Sequence, residues 1–322
     1  MNKLEDFVKP TQNELFNMLL KKYRDVAIAH FGNYILIPGQ APIMLLAHMD
    51  TVHEKPVKHI CKSPDGNILM SPQGIGGDDR CGVYALVKVH EASLIKPWLL
   101  FTCNEEIGGL GAEKFVMDYS DDGRLPKGKG RLPEDITKMK LLIEIDRKGK
   151  NDAVYYGCNN SEFEKYITSK GFITAYGSFS DISVIAPVMG VAAVNLSSGY
   201  YNQHTLHEYI NCKQIGAVIK SVVEIVADAA KPDFPKYEYI KKVYKLTPSS
   251  KADVVEEYVP FDLPSDMVQM YSDLLELYTQ NELELYRKEY GNQIITQLYN
   301  EEFSSFYDTD DVLNIIDGQF FE

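Results

Sequence analysis

"PIMLLAHMD", residues 42–50, is an apolar run that ends in an imidazole and a carboxylate. An unbroken apolar run bounded by a proline reads as a strand buried on both faces, in a sheet covered by helices on each side. In open α/β sheets, functional groups gather just past the carboxyl ends of the strands. His48 and Asp50 stand there. Being two apart on an extended segment, they lie on the same side of the chain.

The same alternation continues outward. Upstream, residues 13–21 read as an amphipathic helix, and "VAIAHFGNYILIPG" (26–39) as extended chain broken by a turn. Downstream, "KHICKSPDGNILMSPQ" (58–73) places Pro-Asp-Gly-Asn between extended runs, which is hairpin chemistry. "GVYALVKVHEA" (82–92) carries a helical period, "WLLFTCN" (98–104) is a buried strand, and "LGAEKFVMDY" (110–119) is a helix. Residues 119–138 are polar and turn-rich, a surface excursion. "MKLLIEID" (139–146) and "VAAVNLS" (191–197) are further apolar strands, with a short helix at 179–190 between them. Residues 211–230 form a long amphipathic helix with Asn211 as its N-cap. The expectation is a three-layer α/β/α domain with a mixed central sheet over residues 1–232.

"KPDFPKYEYI" (231–240) marks a boundary, and residues 233–322 read as an acidic, tyrosine-rich, mostly helical region. Ser265 after Pro264 opens one helix; Asn281 with Glu284 makes a capping-box-like start, and Gly291 a stop. Ten of the 21 tyrosines lie beyond residue 236, too aromatic a content for a disordered acidic tail.

Charge separates the two parts. The chain carries a net −13, yet residues 251–322 alone hold 17 Asp and Glu against Lys251, Arg287 and Lys288. An acidic tail argues against nucleic-acid binding there. No apolar run reaches the length of a membrane span, and the N-terminus is polar and acidic. Five cysteines form no CxxC pair, which reads as a reducing, cytoplasmic compartment.

Each strand end presents a group able to do chemistry. After the first strand come His48 and Asp50; after the hairpin, Asp78 in "GIGGDDRCG" (74–82); after "WLLFT", Glu105 and Glu106; at the end of "LLIEI", Asp146; after "VAAVNLSSGYYNQ", His204. Each alone is weak. A lone strand His is usually structural, a Glu-Glu pair is usually solvated, and Asp and Gly favour turns anyway. Together they supply imidazole and carboxylate at every strand end, the donor types of zinc, cobalt or manganese.

The landmarks "LLAHMDTV", "GIGGDDRCG", "TCNEEIGGLGA", "IEID" and "NQHTLHE" stand in order over residues 45–208. In this the sequence resembles the co-catalytic di-zinc exopeptidase and deacylase superfamily, which includes bacterial aminopeptidases, glutamyl aminopeptidases, tripeptidase T and carboxypeptidase G. The resemblance implies two divalent ions, with Zn2+ first and Co2+ or Mn2+ as alternatives. It implies His48 and Asp146 on one metal, Glu106 and His204 on the other, and Asp78 bridging both. It further implies Glu105 as general base and Asp50 as the carboxylate that orients His48. In "HTLHE" the pattern selects His204 over His207, with Glu208 as the trailing acid; Asp79 and Arg80 serve the turn or the surroundings. The gaps from His48 to Asp78 and from Asp146 to His204, 30 and 58 residues, are too short for the lid or dimerisation domains of some relatives.

Two metals about 3.5–4 Å apart hold a shared hydroxide and polarise a carbonyl. The expected activity is therefore amide-bond hydrolysis, with an exopeptidase on short peptides first and an aminopeptidase favoured. A deacylase of acylated amino acids or a carboxypeptidase on the same scaffold is the alternative. A non-catalytic binding protein is the rival from another class, but such relatives lose ligands and none is lost here. The helical tail is a place for self-association or a protein partner.

Overall fold

The computed structural model describes residues 3–53, 55–120, 132–175, 177 and 179–241, with further positions between 263 and 303. The chain divides into two compact units, Met1–Lys242 and Val243–Glu322.

In the first unit the elements run in order α1 (Glu5–Val8), α2 (Gln12–Lys22), β1 (Ile28–His30), β2 (Tyr34–Ile37), β3 (Ile43–His48), β4 (Cys61–Lys62) and β5 (Ile68–Met70). Then come α3 (Gly77–Ala92), β6 (Trp98–Thr102), α4 (Leu110–Ser120), β7 (Leu141–Arg147) and β8 (Asp152–Val154). The unit closes with α5 (Ser161–Ser169), β9 (Ile173–Thr174), α6 (Asp181–Met189), β10 (Ala193–Ser197), β11 (Tyr200–Tyr201), β12 (Tyr209–Asn211) and α7 (Cys212–Ala229).

Among the described residues, eight strands form one sheet in the order β1-β2-β6-β3-β7-β10-β8-β9. The central β6, β3, β7 and β10 run parallel, with antiparallel β2 on one flank and β8 on the other. The sheet is mixed, as expected. β11, β12, β5 and β4 make a separate four-stranded antiparallel sheet.

Period-two alternation sends side chains to opposite faces of each strand. Ile43, Leu45, Ala47, Leu99, Phe101, Ile143 and Ile145 join one core, with buried residues of α2, α3 and α7. Met44, Leu46, Trp98, Leu100 and Leu142 join the other, with α4 and α6. Two cores on two faces make the three layers. Leu45 has no exposed surface. Leu45→Ala removes about three carbons from a site with little room to collapse, so stability should fall by roughly 2–5 kcal/mol in denaturant unfolding.

Local chemistry sets the helix ends. Thr11 and Glu14 form a reciprocal capping box at the start of α2, which begins one residue before the periodicity predicts. Asn211 accepts the Gln214 amide at 3.3 Å and caps α7 as expected. Gly82 has a different task. A Cβ there would lie 2.1 Å from the Ile145 carbonyl oxygen, so only glycine lets α3 seat this close to β7.

The second unit holds a helix at Gln293–Phe303 and a cluster of Leu263, Tyr271, Leu274, Leu283, Ile295 and Leu298. Gly291 has φ +79° and donates to the Arg287 carbonyl, the geometry of a helix stop. The expected starts at Ser265 and Asn281 lie outside the described residues.

Candidate metal centre

His48 is the last residue of β3, and its ring is 1 % exposed. Nδ1 lies 3.3 Å from Asp50 Oδ1. Nε2 faces the other way, 3.2 Å from Asp78 Oδ1 and 3.5 Å from Asp146 Oδ1. Asp78 turns its second oxygen to His204, with Oδ2 3.2 Å from Nε2. His204 Nε2 also lies 3.1 Å from Glu106 Oε2. Asp78 thus stands between two imidazoles, one carboxylate oxygen toward each. His48 and Asp146 are on one side, Glu106 and His204 on the other. Glu105 Oε2 approaches to 3.9 Å from His48 Nε2. The structure brings all seven expected residues into one cluster.

They do not all arrive from strand ends. His48 and Asp146 belong to β3 and β7 of the central sheet, and Glu105 and Glu106 to the turn just after β6, as the strand-end argument requires. Asp78 instead lies in the non-helical first turn of α3, after the left-handed Gly76. The peptide joining it to Asp79 is cis. His204 comes from the β11–β12 hairpin of the smaller sheet, because Gly199 at φ +87° ends the run that begins in β10. Asn104 and His204 both sit near φ +61°. Left-handed backbone at two positions beside the cluster is strain of the kind that functional sites hold.

A surrounding ring fixes these side chains. Asp50 accepts the Glu105 amide at 3.1 Å and the Glu106 amide at 3.0 Å on separate oxygens. One carboxylate thereby aligns His48 and anchors the loop that presents both glutamates. Burial would raise its pKa, but the adjacent His48 ring and the two amides outweigh burial and hold Asp50 at about 2. Asn195 Oδ1 accepts the Asp146 amide at 2.8 Å, and the Tyr200 hydroxyl donates to the Asp146 carbonyl at 2.9 Å. Glu208 is fully buried and accepts three donors: the Gly76 amide at 2.8 Å, the Asp78 amide at 2.9 Å and His53 Nε2 at 2.9 Å. The trailing acid is therefore the anchor of the Asp78 turn. Glu208→Gln should lower metal affinity about 10–100-fold with the fold intact, read by metal titration and circular dichroism.

The adjacent acid is held differently. Asp79 has no exposed surface, and its Oδ1 accepts the Gly82 amide at 2.9 Å, capping the regular part of α3. It can also reach a cation with His48 and Asp146, as can Asp78 with His48 and Glu106; in each group the donor atoms lie within 4.8 Å of one another. Arg80 donates Nη1 to the Phe7 and Pro10 carbonyls at 2.8 Å each, tying down the N-terminal arm.

The electrostatics are those of carboxylates gathered out of water. Burial, then Asp146, pushes Asp78 up to about 6 against the pull of His204 and His48. Burial pushes Glu105 up to about 9; His48 opposes this, while Asp146, Asp181 and Glu106 add to it. Burial would depress His48, but its hydrogen bonds to Asp146, Asp50 and Asp78 raise it well above the usual imidazole range. Hydrogen bonds to Asp78 and Glu106 carry His204 to about 10. Each shift favours added positive charge, which divalent cations would supply in place of protons. Glu106 Oε1 is buried without a hydrogen-bond partner among the described residues. Two imidazoles and three carboxylates around one centre fit divalent transition metals of the zinc type.

Sequence reasoning missed the carboxylates behind the cluster. Glu144 and Asp181 are buried, and receive hydrogen bonds from Ser180 and Thr102 respectively. Glu144 sits one alternation before Asp146 on β7 and so faces the same way, a period-two signal available in "IEID". Ser180 and Asp181 carried no such sign.

No protein-family model matches the chain, and no curated protein does. Among solved structures, the chain is similar to aminopeptidase PepT from Bacillus cereus, at 16 % identity and TM-score 0.51, over 71 % of this chain and 98 % of that one. It is likewise similar to a tripeptidase from Staphylococcus aureus, at 15 % identity and TM-score 0.52, over 71 % and 97 %. At such identities the likeness is one of architecture, and the chain has the fold of these aminopeptidase and tripeptidase structures, the fold its five landmarks implied.

Proposed function

We propose that the protein is a metal-dependent hydrolase of amide bonds, an exopeptidase on short peptides with aminopeptidase action favoured. The observation that carries this reading is Asp78, whose two oxygens each face an imidazole, with Glu105 beside them. His48 and Asp146 would hold one divalent ion, Glu106 and His204 the other, and Asp78 both. Bound there, zinc-type ions would acidify water and polarise the scissile carbonyl.

The chain's own residues do the rest. Glu105 stands next to a ligand in sequence yet is not needed as one, so its carboxylate is left to accept the water proton and return it to the leaving amine. In the bare cluster burial, with Asp146, Asp181 and Glu106, raises its pKa; divalent cations there would lower it and leave the carboxylate ionised, as a base requires. Asp50 keeps His48 in the tautomer with Nδ1 protonated, so that Nε2 presents its lone pair to the centre. Exposed Ile107 and Leu206 flank the segments that carry Glu106 and His204, which supports an apolar residue on the substrate. A deacylase or carboxypeptidase would use the same ligands.

The test is elemental analysis of protein purified without chelator, then assays on peptides blocked at either end. About two zinc, cobalt or manganese ions per chain are expected. Loss of turnover on N-terminal acetylation but not on C-terminal amidation is expected for an aminopeptidase; the reverse assigns a carboxypeptidase. Absence of metal after zinc is added back would remove the proposal.

The described cysteines are all free, which supports a reducing, cytoplasmic setting. No described helix is long and apolar enough to cross a membrane. We assign the second unit, Val243–Glu322, to self-association or a protein partner, with truncation after Lys242 and a change in oligomeric state as the check.

A further inference from the structure

A cavity of about 250 Å³ lies between the N-terminal arm and the segments that leave β3 and precede α3. Its charged and imidazole lining is Asp50, His53, Lys55 and Arg80, with Thr11, Gln12 and Thr51 as the neutral polar side chains. Only Asp50 belongs to the cluster described above, and it faces the centre through His48.

Three features of this lining have the same electrical sense. Arg80 is 2 % exposed, and its Nε is buried with no hydrogen-bond partner among the described residues. A guanidinium keeps its charge at neutral pH whatever its burial. The helix α2 begins at Gln12, so its partial positive end opens on the cavity, although Glu14 closes part of it through the capping box. Lys55 is exposed at the edge. Against these stand the carboxylates of Asp50 and Asp79, which interact electrostatically with Arg80. Both are engaged, Asp50 with His48 and two amides, Asp79 with the Gly82 amide. His53 is engaged by Glu208.

We propose that this cavity binds a small oxyanion, a carboxylate or phosphate, between Arg80, Lys55 and the N-terminus of α2. The anion would reach the centre through Asp50 rather than by joining the metals. Two sources share the chemistry: a free anion, or the C-terminal carboxylate of a short peptide. The second source rests on the peptidase reading; the first does not.

The test uses the full, metal-loaded chain. Acetate and inorganic phosphate are titrated by calorimetry into wild type, Lys55→Glu and Lys55→Gln. Lys55 is exposed, so both variants should fold, with circular dichroism as the check. The expected result is a dissociation constant about tenfold weaker in Lys55→Gln and weaker still in Lys55→Glu, with metal content unchanged. Equal affinity in all three proteins would place the anion on the metals, and no binding would empty the cavity; either overturns the proposal. Peptides with free and amidated C-termini then separate the sources. A KM that rises about tenfold in Lys55→Glu for the free acid alone assigns the peptide carboxylate. Unchanged KM for both, with anion affinity lost, assigns the free anion. If no peptide is cleaved, the calorimetry still decides whether the cavity binds an anion, so the two readings fail separately.

Discussion

Glu105→Gln should nearly abolish turnover while leaving the metals bound. Gln keeps the shape and the loop contacts, because Asp50 holds residue 105 through its backbone amide rather than its side chain. What disappears is the proton acceptor. Loss of a positioned general base lowers kcat by about 10²–10⁴-fold. Metal content should stay at the wild-type value, since Glu105 comes no nearer than 3.9 Å to the His48 nitrogen while Asp78 and Asp146 approach more closely. Steady-state kinetics on the best peptide, with elemental analysis of the same sample, separates the outcomes. Retained activity would remove Glu105 from the chemistry, and joint loss of metal and activity would make it a ligand.

Asp78→Asn should do the opposite and empty the site. The substitution removes one negative charge from a position facing both imidazoles and turns an amide donor toward one of them. A ligand shared by two ions is lost to both, so metal content should fall from about two per chain to below one, with activity falling at least as far as in Glu105→Gln. Asp79→Asn is the matched control. Asn at 79 keeps an acceptor for the Gly82 amide, so α3 stays capped and metal is retained. The reversed result, metal lost at 79 and kept at 78, would move the bridge to Asp79 and its group with His48 and Asp146.

The adjacent aspartates show how far a sequence argument reaches. Their residue types, the flanking glycines and the four other landmarks pointed to a cation, because carboxylate and imidazole at successive strand ends have few other uses. The resemblance assigned the bridging role to Asp78, but "GIGGDDRCG" does not say what turns that acid toward the cluster. That depends on Gly76 at φ +62°, on Glu208 taking the Gly76 and Asp78 amides, and on the Gly82 amide taking Asp79. Glu208 is 130 residues away from Asp78 along the chain. The periodicity could not place His204 in a second sheet either, since strand and hairpin look alike until Gly199 turns the chain.

What the sequence determined by itself is local: buried strands from unbroken apolar runs, the helix start at Asn211, and the donor types just past each strand. These depend on near neighbours and on side-chain chemistry, both written in linear order. Only the tertiary structure decided the 3.1–3.5 Å convergence, the contacts that hold Asp78 and Asp79 apart, and the cavity beside Asp50. Those require segments far apart in the chain to meet, and the side chains that hold them together, Glu208, Asn195, Tyr200 and Arg80, are placed by packing rather than by any pattern along the chain.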